Sequence, residues 1–413
     1  MPHPPLPRVL MLPKWYPHRY DDQDGDFVAR HVAAVAPYAR VAVLLATVAR
    51  GPLPRLAECE ADWEGPWPTL RYYYRARPTG LPPLDKLLKL LLYFGCVVHG
   101  YWLLRRRWGR PQLVHVHVLL RTGVAAWLLR LLTGLPYVVT EHWTLYLPAN
   151  DARLGPWRRR LTAAVVGRAA ALHTVSDDLR RAMARFGAVN GRTVVVPNVV
   201  DTAAFHPPHP TEQLPPSDLR RGGRLLHVAA FNEAAKNLSG LLRTVARLRL
   251  ARPALSLRIA GYGPDEAALR RLAEGLGLLA DGTVTFLGKL DHPAVAAEMR
   301  RADLLVLFSN YENLPCVLVE AQASGLPAVA TRVGGVPELL PGTDARGRLV
   351  PPADEEALAT ALTELLSQPK PAAAPLHEQA AGRFSYPAVG RQLAALYAAV
   401  LVRPTFPDPL PRP

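Results

Sequence analysis

The chain has 413 residues and a mass of 45.2 kDa, which is too much for one ordinary hydrophobic core, so we expect two or three domains. Apolar residues make up 49% and charged residues 20%, and these fractions exclude the disordered and collagen-like classes. The net charge of +15 favours an anionic partner: nucleic acid, a phospholipid surface or a phosphorylated small molecule. The alternative is compositional drift, because many arginines, prolines and alanines together are also typical of a GC-rich coding bias, and the charge then reflects no function.

Cysteine usage and the N-terminus point to the cytoplasm. Cys59, Cys96 and Cys316 lie far apart, which excludes a disulfide framework and a CxxC metal site and indicates a reducing compartment. The first 13 residues lack the charged start, apolar core and cleavage site of a signal peptide. The apolar stretch 87–104 contains Lys89, His99 and two glycines, and we do not expect it to cross a bilayer.

Short runs rich in Val, Leu and Ile alternate with longer stretches of helical period, a pattern that predicts parallel sheets covered by helices. The first series of predicted strands covers residues 8–12, 41–48, 113–117, 137–140, 171–175 and 193–196. The second series covers residues 225–230, 255–260, 284–287, 304–308 and 328–331. The predicted fold class is therefore α/β, with two halves of similar construction.

A proline-rich stretch without apolar period separates the two series and predicts an exposed linker at 206–217. Residues 1–205 are expected to form the first domain and residues 218–383 the second. Val389, Leu393, Leu396 and Val400 fit one helical face within 384–402, which we expect to return to the first domain. The remaining residues, 403–413, are expected to be disordered.

The stretch from Ser309 to Leu340 follows a predicted strand, and ligands of open α/β sheets bind at the carboxyl ends of strands. Pro315 suits the first turn of a helix over 316–323, with Asn313 as its cap, and free N–H groups at that end attract phosphate. Glu312 and Glu320 flank this helix start, roughly 12 Å apart at the helical rise. Each carboxylate can accept from two sugar hydroxyls, although isolated glutamates at such a place are more often solvated charges.

This E-x7-E arrangement and the following EAQASGLPAVATRVGGVPEL resemble the donor-site signature of the retaining glycosyltransferases of family 4. The resemblance continues through RIAGYGPDEAALRRLA, VTFLGKL, VVPNVVDTAAFHP and LPKWYP with GDFVARH, and so covers nearly the whole chain. It implies the GT-B fold, with two Rossmann-like domains facing a central cleft, and a retaining reaction without metal or other cofactor. It also implies that Glu312 contacts the donor sugar as a catalytic residue, Glu320 the ribose diol, and the backbone at Asn313 and Leu314 the diphosphate.

Two further donor-binding residues follow from the resemblance. Lys236, in VAAFNEAAKNLSGLL, is implied to contact the donor phosphates, where a cation stabilises the charge of the departing diphosphate. Gly25, in the loop after the first strand, is implied to let the backbone approach phosphate, although one glycine also suits an ordinary turn. Many family members carry an arginine where Ala230 and Phe231 stand in this chain. Another residue must therefore bind the donor phosphates in its place, and Asn232 is one candidate.

Polar residues at the ends of two other strands are the acceptor-side candidates. Strand alternation places His115 and His117 on the same side, and the resemblance implies a catalytic position for His117 near the acceptor and the donor phosphate. Glu141 and His142 end the next strand and are expected to line the acceptor pocket. Isolated histidines of this kind are more often core residues, and without ligands at metal spacing no metal site is predicted. The Gly261–Gly263 motif has Glu266 where a dinucleotide fingerprint needs glycine, which excludes NAD.

We therefore expect a hexosyltransferase that uses a UDP- or GDP-linked sugar and a saccharide or lipid-linked acceptor, in cell-envelope polysaccharide or glycolipid synthesis. Two alternatives stay open: a nucleotide-sugar 2-epimerase of the same fold, and a catalytically silent partner of a polysaccharide-synthesis complex. Nucleic acid is not expected, because the arginines are scattered and no recognised module is present. The basic, apolar segment 85–110 predicts either contact with an anionic membrane surface, at the inner face of the cytoplasmic membrane, or a helix packed on the first domain.

Overall fold

The structure, a computed structural model, describes residues 5–77, 79–209, 222–341 and 346–401. Most of the predicted linker, from residue 210 onwards, and the whole predicted tail at 403–413 lie outside the described residues. The strands form two separate sheets, one in each half of the chain. This arrangement agrees with the predicted α/β class.

The first half contains one eight-stranded sheet. Its strands are β1 (Arg8–Pro13), β2 (Arg40–Val48), β3 (Ala57–Asp62), β4 (Thr69–Tyr74), β5 (Leu113–His117), β6 (Tyr137–Glu141), β7 (Ala171–Thr174) and β8 (Thr193–Val195). Its helices are α1 (Asp26–Val35), α2 (Pro82–Arg107), α3 (Thr122–Thr133), α4 (Pro156–Arg168) and α5 (Asp177–Ala184), with 3₁₀ turns at Thr144–Tyr146 and Pro148–Arg153. The spatial order is β3-β4-β2-β1-β5-β6-β7-β8, and only the β3–β4 pair is antiparallel.

The second half contains a six-stranded parallel sheet. Its strands are β9 (Gly222–Val228), β10 (Ala254–Ala260), β11 (Val284–Gly288), β12 (Leu304–Leu307), β13 (Ala328–Thr331) and β14 (Gly347–Val350), in the spatial order β11-β10-β9-β12-β13-β14. Its helices are α6 (Glu233–Lys236), α7 (Leu238–Ala251), α8 (Glu266–Gly275), α9 (His292–Arg301), α10 (Cys316–Ala323), α11 (Val336–Leu339), α12 (Glu355–Leu366) and α13 (Ala373–Phe384). A last helix, α14 (Tyr386–Leu401), packs against α1 of the first half.

Every predicted strand is present, with small shifts at its ends, because buried apolar runs of β-branched and leucine residues identify parallel strands well. Three strands escaped prediction: β3, β4 and β14. The β3 sequence AECEAD forms a charged and mostly exposed edge, which lacks the apolar signal on which the prediction depended. Its antiparallel pairing with the tyrosine-rich β4 covers one side of that strand instead.

Helix α2 packs one face on the first sheet and leaves the other exposed. Tyr93, Val97, Tyr101 and Leu104 are buried on the face that contacts β2 and β4. Within the described residues α2 is also the one helix whose length and apolar composition suffice to span a membrane, with about a third of its most apolar stretch buried in the protein. The predicted packing on the first domain is therefore present, and an unpartnered apolar face remains.

A chain of hydrogen bonds between buried side chains joins α14 to the middle of the first sheet. His173 Nε2 lies 2.7 Å from the Val196 carbonyl and must donate to it, so its Nδ1 accepts from the Thr140 hydroxyl, also at 2.7 Å. Thr140 then accepts from His115 Nε2 at 2.5 Å, and His115 Nδ1 accepts from the Tyr397 hydroxyl at 2.5 Å. This direction requires neutral imidazoles, and burial lowers the pKa of His173 to about 3 and that of His115 well below its usual value.

We predict that Tyr397→Phe lowers the free energy of unfolding by about 1–3 kcal/mol, because it leaves the buried His115 Nδ1 without a donor. Urea denaturation followed by circular dichroism measures the change. Tyr101→Phe is the matched control, since the buried Tyr101 hydroxyl has no hydrogen-bond partner among the described residues. Equal losses in the two variants would contradict an energetic role for the hydrogen-bonded chain.

Candidate active site

The carboxyl ends of strands from both sheets face each other across a cleft. His117 ends β5 and Glu141 ends β6 in the first half. In the second half, Lys236 follows β9 and Glu312 follows β12. Hydrogen bonds cross between the halves at this level, for example from Ser176 Oγ to Asn313 Oδ1 at 2.7 Å. The predicted site residues therefore collect around one cleft, where open α/β sheets bind ligands.

Glu312 is buried and paired with a cation from its own half. Lys236 Nζ lies 2.5 Å from Glu312 Oε1, and the Ser309 hydroxyl donates to the same oxygen at 2.7 Å. Asn310 connects the loop after β12 to helix α6, because its backbone N–H donates to the Ala235 carbonyl at 2.8 Å. The sequence prediction placed both Lys236 and Glu312 at the donor, and the structure brings the two side chains into direct contact.

Two consecutive glycines fix the backbone of the Glu312 loop. A Cβ at Gly334, which has a φ of 50°, would lie 1.9 Å from the Glu312 carbonyl oxygen, and one at Gly335 would lie 2.5 Å from that of Asn313. The Gly335 N–H donates to the Asn313 carbonyl at 2.8 Å. The glycine pair in TRVGGVPEL thus allows two backbone segments to touch where any side chain would separate them.

The predicted capping role of Asn313 is wrong. Pro315 itself is the N-cap residue of α10, and no side chain caps this end. The Asn313 side chain instead bridges the cleft, because its Nδ2 donates to the His142 carbonyl at 2.9 Å and its Oδ1 accepts from Ser176. The backbone N–H groups of Asn313 and Leu314 donate to no other described residue. They remain available to an anion before the helix start.

Glu320 is buried on α10 and paired with a cation from the other half. Arg30 Nη1 donates to Glu320 Oε1 at 2.8 Å, and Arg30 Nη2 lies 2.8 Å from Asp26 Oδ2. His292 Nε2, on the second half, reaches the same Asp26 oxygen at 3.2 Å. Arg30, Asp26 and His292 were not among the residues predicted from the sequence. The i,i+4 spacing of Asp26 and Arg30 was the one available signal, and that spacing alone indicates only an ordinary helix pair.

A cavity of about 340 Å³ lies between the halves at Glu320. Its walls include residues of α1, α9 and α10 and of the loops after β9, β10 and β11. Arg30 and Glu320 line it on one side, and Ala230, Tyr262 and Lys289 are among the residues on the others. The volume is in the range of pockets that bind small ligands.

His117 and His142 form a buried pair on the first half. His117 Nδ1 lies 3.3 Å from His142 Nε2, and the two rings are stacked with centroids 5.6 Å apart. Burial lowers the pKa of both residues well below the usual histidine value, so the rings are neutral. His117 Nε2 has no hydrogen-bond partner among the described residues. The His115 ring lies 4.2 Å from that of His117, as expected for residues on one side of a strand.

Glu141 organises backbone around the cleft. Its two oxygens accept from the N–H groups of Leu119, His142 and Trp143 at 2.8–2.9 Å. Burial raises the pKa of Glu141 to about 7, and burial lowers the pKa of the nearby Lys14 to about 8. The Lys14 ammonium lies 3.3 Å from the centroid of the Trp143 ring. Lys14, which follows β1 directly, was not among the site residues predicted from the sequence.

Gly25 precedes α1 with a φ of 68°. A Cβ at this position would lie 2.3 Å from the carbonyl carbon and oxygen of Trp15. The backbone packing of the Trp15 loop therefore already requires glycine here. Contact between Gly25 and the donor stays a prediction.

Comparisons with known proteins identify the family. Residues 26–199 match the "Glycosyl transferase 4-like domain" and residues 222–368 match "Glycosyl transferases group 1". The D-inositol 3-phosphate glycosyltransferase of Corynebacterium urealyticum is 32% identical over 317 residues, which are 72% of this chain and 73% of that protein. The chain belongs to glycosyltransferase family 4.

Other relatives align over shorter segments. The D-inositol 3-phosphate glycosyltransferase of Pseudarthrobacter chlorophenolicus is 32% identical over 63% of this chain and 64% of its own length. The MMP alpha-(1->4)-mannosyltransferase of Mycolicibacterium hassiacum is 32% identical over 51% of this chain and 49% of its own length. The chain thus spans less than two thirds of the length of these two relatives.

Solved structures share the fold of this family 4 chain. Sucrose-phosphate synthase from Thermosynechococcus elongatus superposes with a TM-score of 0.71 at 22% identity, covering 95% of this chain and 98% of that one. Anabaena Alr3699/HepE in complex with UDP gives 0.71 at 18% identity, covering 95% and 100%. The comparisons confirm the predicted family and the GT-B fold class, and they favour glycosyl transfer over the epimerase and silent-partner alternatives.

We predict a pH-dependent contribution of His292 to stability. The hydrogen bond to Asp26 raises the pKa of His292, so the stabilisation is fully present below the usual histidine pKa of about 6.5 and is lost as the pH rises through the raised folded value. The stability difference between the unmodified chain and His292→Gln should therefore be larger at about pH 5.5 than at about pH 9, as measured by urea denaturation. In an Asp26→Asn background this pH dependence should vanish; its persistence there would contradict the pairing.

Proposed function

We propose that this chain transfers a hexose from a nucleotide-sugar to a hydroxyl of a saccharide or lipid-linked acceptor, with retention of the anomeric configuration. One observation carries the proposal: the pair of half-buried Lys236 and buried Glu312 lies beside the unengaged N–H groups of Asn313 and Leu314, and a second buried carboxylate, Glu320, lies on the helix that follows. This set offers donors for a diphosphate and carboxylates for hydroxyl groups on both sides of it.

The nucleotide-sugar binds this set of residues through its diphosphate and its ribose. The N–H groups of Asn313 and Leu314 and the Lys236 ammonium bind the diphosphate, and Glu320 accepts from the ribose hydroxyls. The cavity of about 340 Å³ holds the nucleoside between the halves. Because structures of the same fold contain UDP or UDP-glucose, UDP is the first nucleotide to test, with GDP as the alternative.

The reaction breaks the bond between the anomeric carbon and the leaving phosphate oxygen, and a bond from the acceptor oxygen forms on the same face. The hydroxyl proton passes to the leaving phosphate. Lys236 stabilises the negative charge that develops on that phosphate. Glu312 holds hydroxyls of the transferred sugar, and the neutral His117, whose buried Nε2 has no partner among the described residues, serves as an uncharged hydrogen-bonding partner.

The acceptor binds on the first half. Lys14, Trp15 and Trp143 form an aromatic wall with a cationic tip, since Lys14 Nζ lies 4.6 Å from the Trp15 centroid and 3.3 Å from that of Trp143. Such walls suit the apolar faces and hydroxyl edges of saccharides. Glu141 and His142 support this wall through the backbone bonds of the 141–143 turn.

We predict that Glu312→Gln lowers the rate of sugar transfer by at least 100-fold while nucleotide binding persists, because the amide keeps the shape but loses the charge that faces the sugar. Transfer is measured as release of free nucleotide in the presence of acceptor, and binding of UDP and GDP by calorimetry. Glu356→Gln, which changes an exposed glutamate paired with Arg247, is the control. Full transfer activity in Glu312→Gln would remove the assignment of the site.

We further propose that the exposed face of α2 lies on an anionic membrane surface. Leu84, Leu87, Leu91 and Trp102 are 41–57% exposed and recur at spacings that place them on one side of the helix. The helix ends in Arg105–Arg107, and these cations complement anionic lipid headgroups. An enzyme docked in this way meets acceptors that are anchored in the bilayer.

We predict that the chain sediments with vesicles of mixed phosphatidylcholine and phosphatidylglycerol at low salt, and much less with phosphatidylcholine alone. The double variant Leu87→Ser and Leu91→Ser should reduce the bound fraction several-fold, because it removes apolar area from the inserted face. Leu250→Ser, which changes an 80% exposed leucine of the second half, should bind like the unmodified chain. Absence of binding to the anionic vesicles would contradict the membrane proposal.

A further inference from the structure

Arg30 is the buried cation that the first half contributes to the cavity of the second. It lies on α1, is 8% exposed, and reaches across to Glu320 on α10. The loop after β9 contributes Ala229 and Ala230 to the same cavity and no cation. Lys289, the other cationic chain in the cavity wall apart from His292, is already paired with Asp21 and Asp22.

The hydrogen bonds of Glu320 are asymmetric. Its Oε1 accepts from Arg30, whereas Oε2 accepts from no described residue. A carboxylate accepts up to about four hydrogen bonds, so Oε2 keeps its capacity for a pair of hydroxyls. The guanidinium fixes the plane of the carboxylate by holding one of its corners, and Asp26 in turn fixes the guanidinium.

The third guanidinium nitrogen of Arg30 also has no partner among the described residues. Arg30 Nε is buried and has no acceptor among the described residues. A buried donor without an acceptor is unfavourable, and an oxygen of a bound ligand removes that penalty. Two residues of the cavity wall, bonded to each other, therefore each keep an unengaged polar atom: Glu320 an oxygen, and Arg30 a buried N–H.

We infer that Arg30 is a positioning residue for the donor: it orients Glu320 so that Oε2 receives the ribose hydroxyls of the nucleotide. This inference rests on the proposed function. Since Arg30 belongs to the first half and Glu320 to the second, the ribose subsite is complete only when the two halves lie together. Donor affinity and closure of the cleft are thereby coupled through one ion pair.

The test compares nucleotides that differ only in the ribose hydroxyls. UDP and 2′,3′-dideoxy-UDP, and the corresponding guanine pair, are titrated calorimetrically into the unmodified chain, Arg30→Gln and Arg30→Lys. In the unmodified chain, loss of the hydroxyls should weaken binding of the nucleotide that is recognised by roughly tenfold or more. In Arg30→Gln this discrimination should fall to about twofold or less, because the carboxylate is no longer oriented.

Arg30→Lys keeps the charge and guards against misfolding of the glutamine variant, since a lone ammonium cannot hold Glu320 and Asp26 in one plane as the guanidinium fork does. It should lose most of the discrimination while folding normally by circular dichroism. Arg258→Gln is the control for loss of an arginine–glutamate pair, because Arg258 pairs with Glu298 at 2.5 Å within the second half and neither residue lines the cavity. Its discrimination should equal that of the unmodified chain.

Three outcomes would overturn the inference. Unchanged discrimination in both Arg30 variants would show that Glu320 orients itself, and an equal weakening of both nucleotides would show a general effect of charge or structure. Tighter binding of UDP or GDP by Arg30→Gln would show that the ion pair competes with the ribose. Failure of the unmodified chain to bind either nucleotide would instead contradict the proposed function itself, and with it the inference.

Discussion

Two buried carboxylates next to α10 each require a cation, and this requirement arranges the rest of the site. Removing a carboxylate from water costs several kcal/mol unless an opposite charge and hydrogen bonds compensate for it. Glu312 finds its cation in the same half, on the short helix that ends at Lys236. Glu320 finds its cation in Arg30, on a helix of the other half. The Lys236–Glu312 pair therefore connects two segments of the second half, while the Arg30–Glu320 pair joins the two halves across the cleft.

The first half solves a related problem with histidines. His115, His117, His142 and His173 are all buried, and charging several of them in one core would be prohibitive. A neutral ring accepts on one nitrogen and donates on the other, so Thr140 and Tyr397 link His115 and His173 into one directed chain, while His117 and His142 pair with each other. These four rings thus make the core beneath the cleft polar without adding charge to it.

The sequence was sufficient for what depends on local pattern and insufficient for what depends on contacts between the halves. Apolar runs identified every strand except β3, β4 and β14, and the helix over Cys316–Ala323 has the predicted bounds. The role of Asn313 was misjudged because capping preference is local, whereas Ser176 and His142 reach its side chain from residues far away in sequence. The estimate of the distance between Glu312 and Glu320 assumed a helix through both, although α10 begins only after Pro315. The only local signal at Arg30 is its i,i+4 spacing from Asp26, whereas its partner on the other half, Glu320, is 290 residues away.

The contacts between the halves differ in kind from one side of the cleft to the other. Near α13 and α14, the buried Phe205, Phe384 and Leu314 belong to one apolar cluster that continues through both halves. Beside the cavity at Glu320 polar contacts join the halves, and some are exposed, such as the pair of Lys289 with Asp22, whose side chain is 82% exposed. Exposed pairs contribute little because water screens them, whereas separating an apolar interface exposes its whole area. Opening of the halves near α14 therefore exposes more apolar area than opening on the cavity side, where the buried Arg30–Glu320 pair is the main contact to be separated.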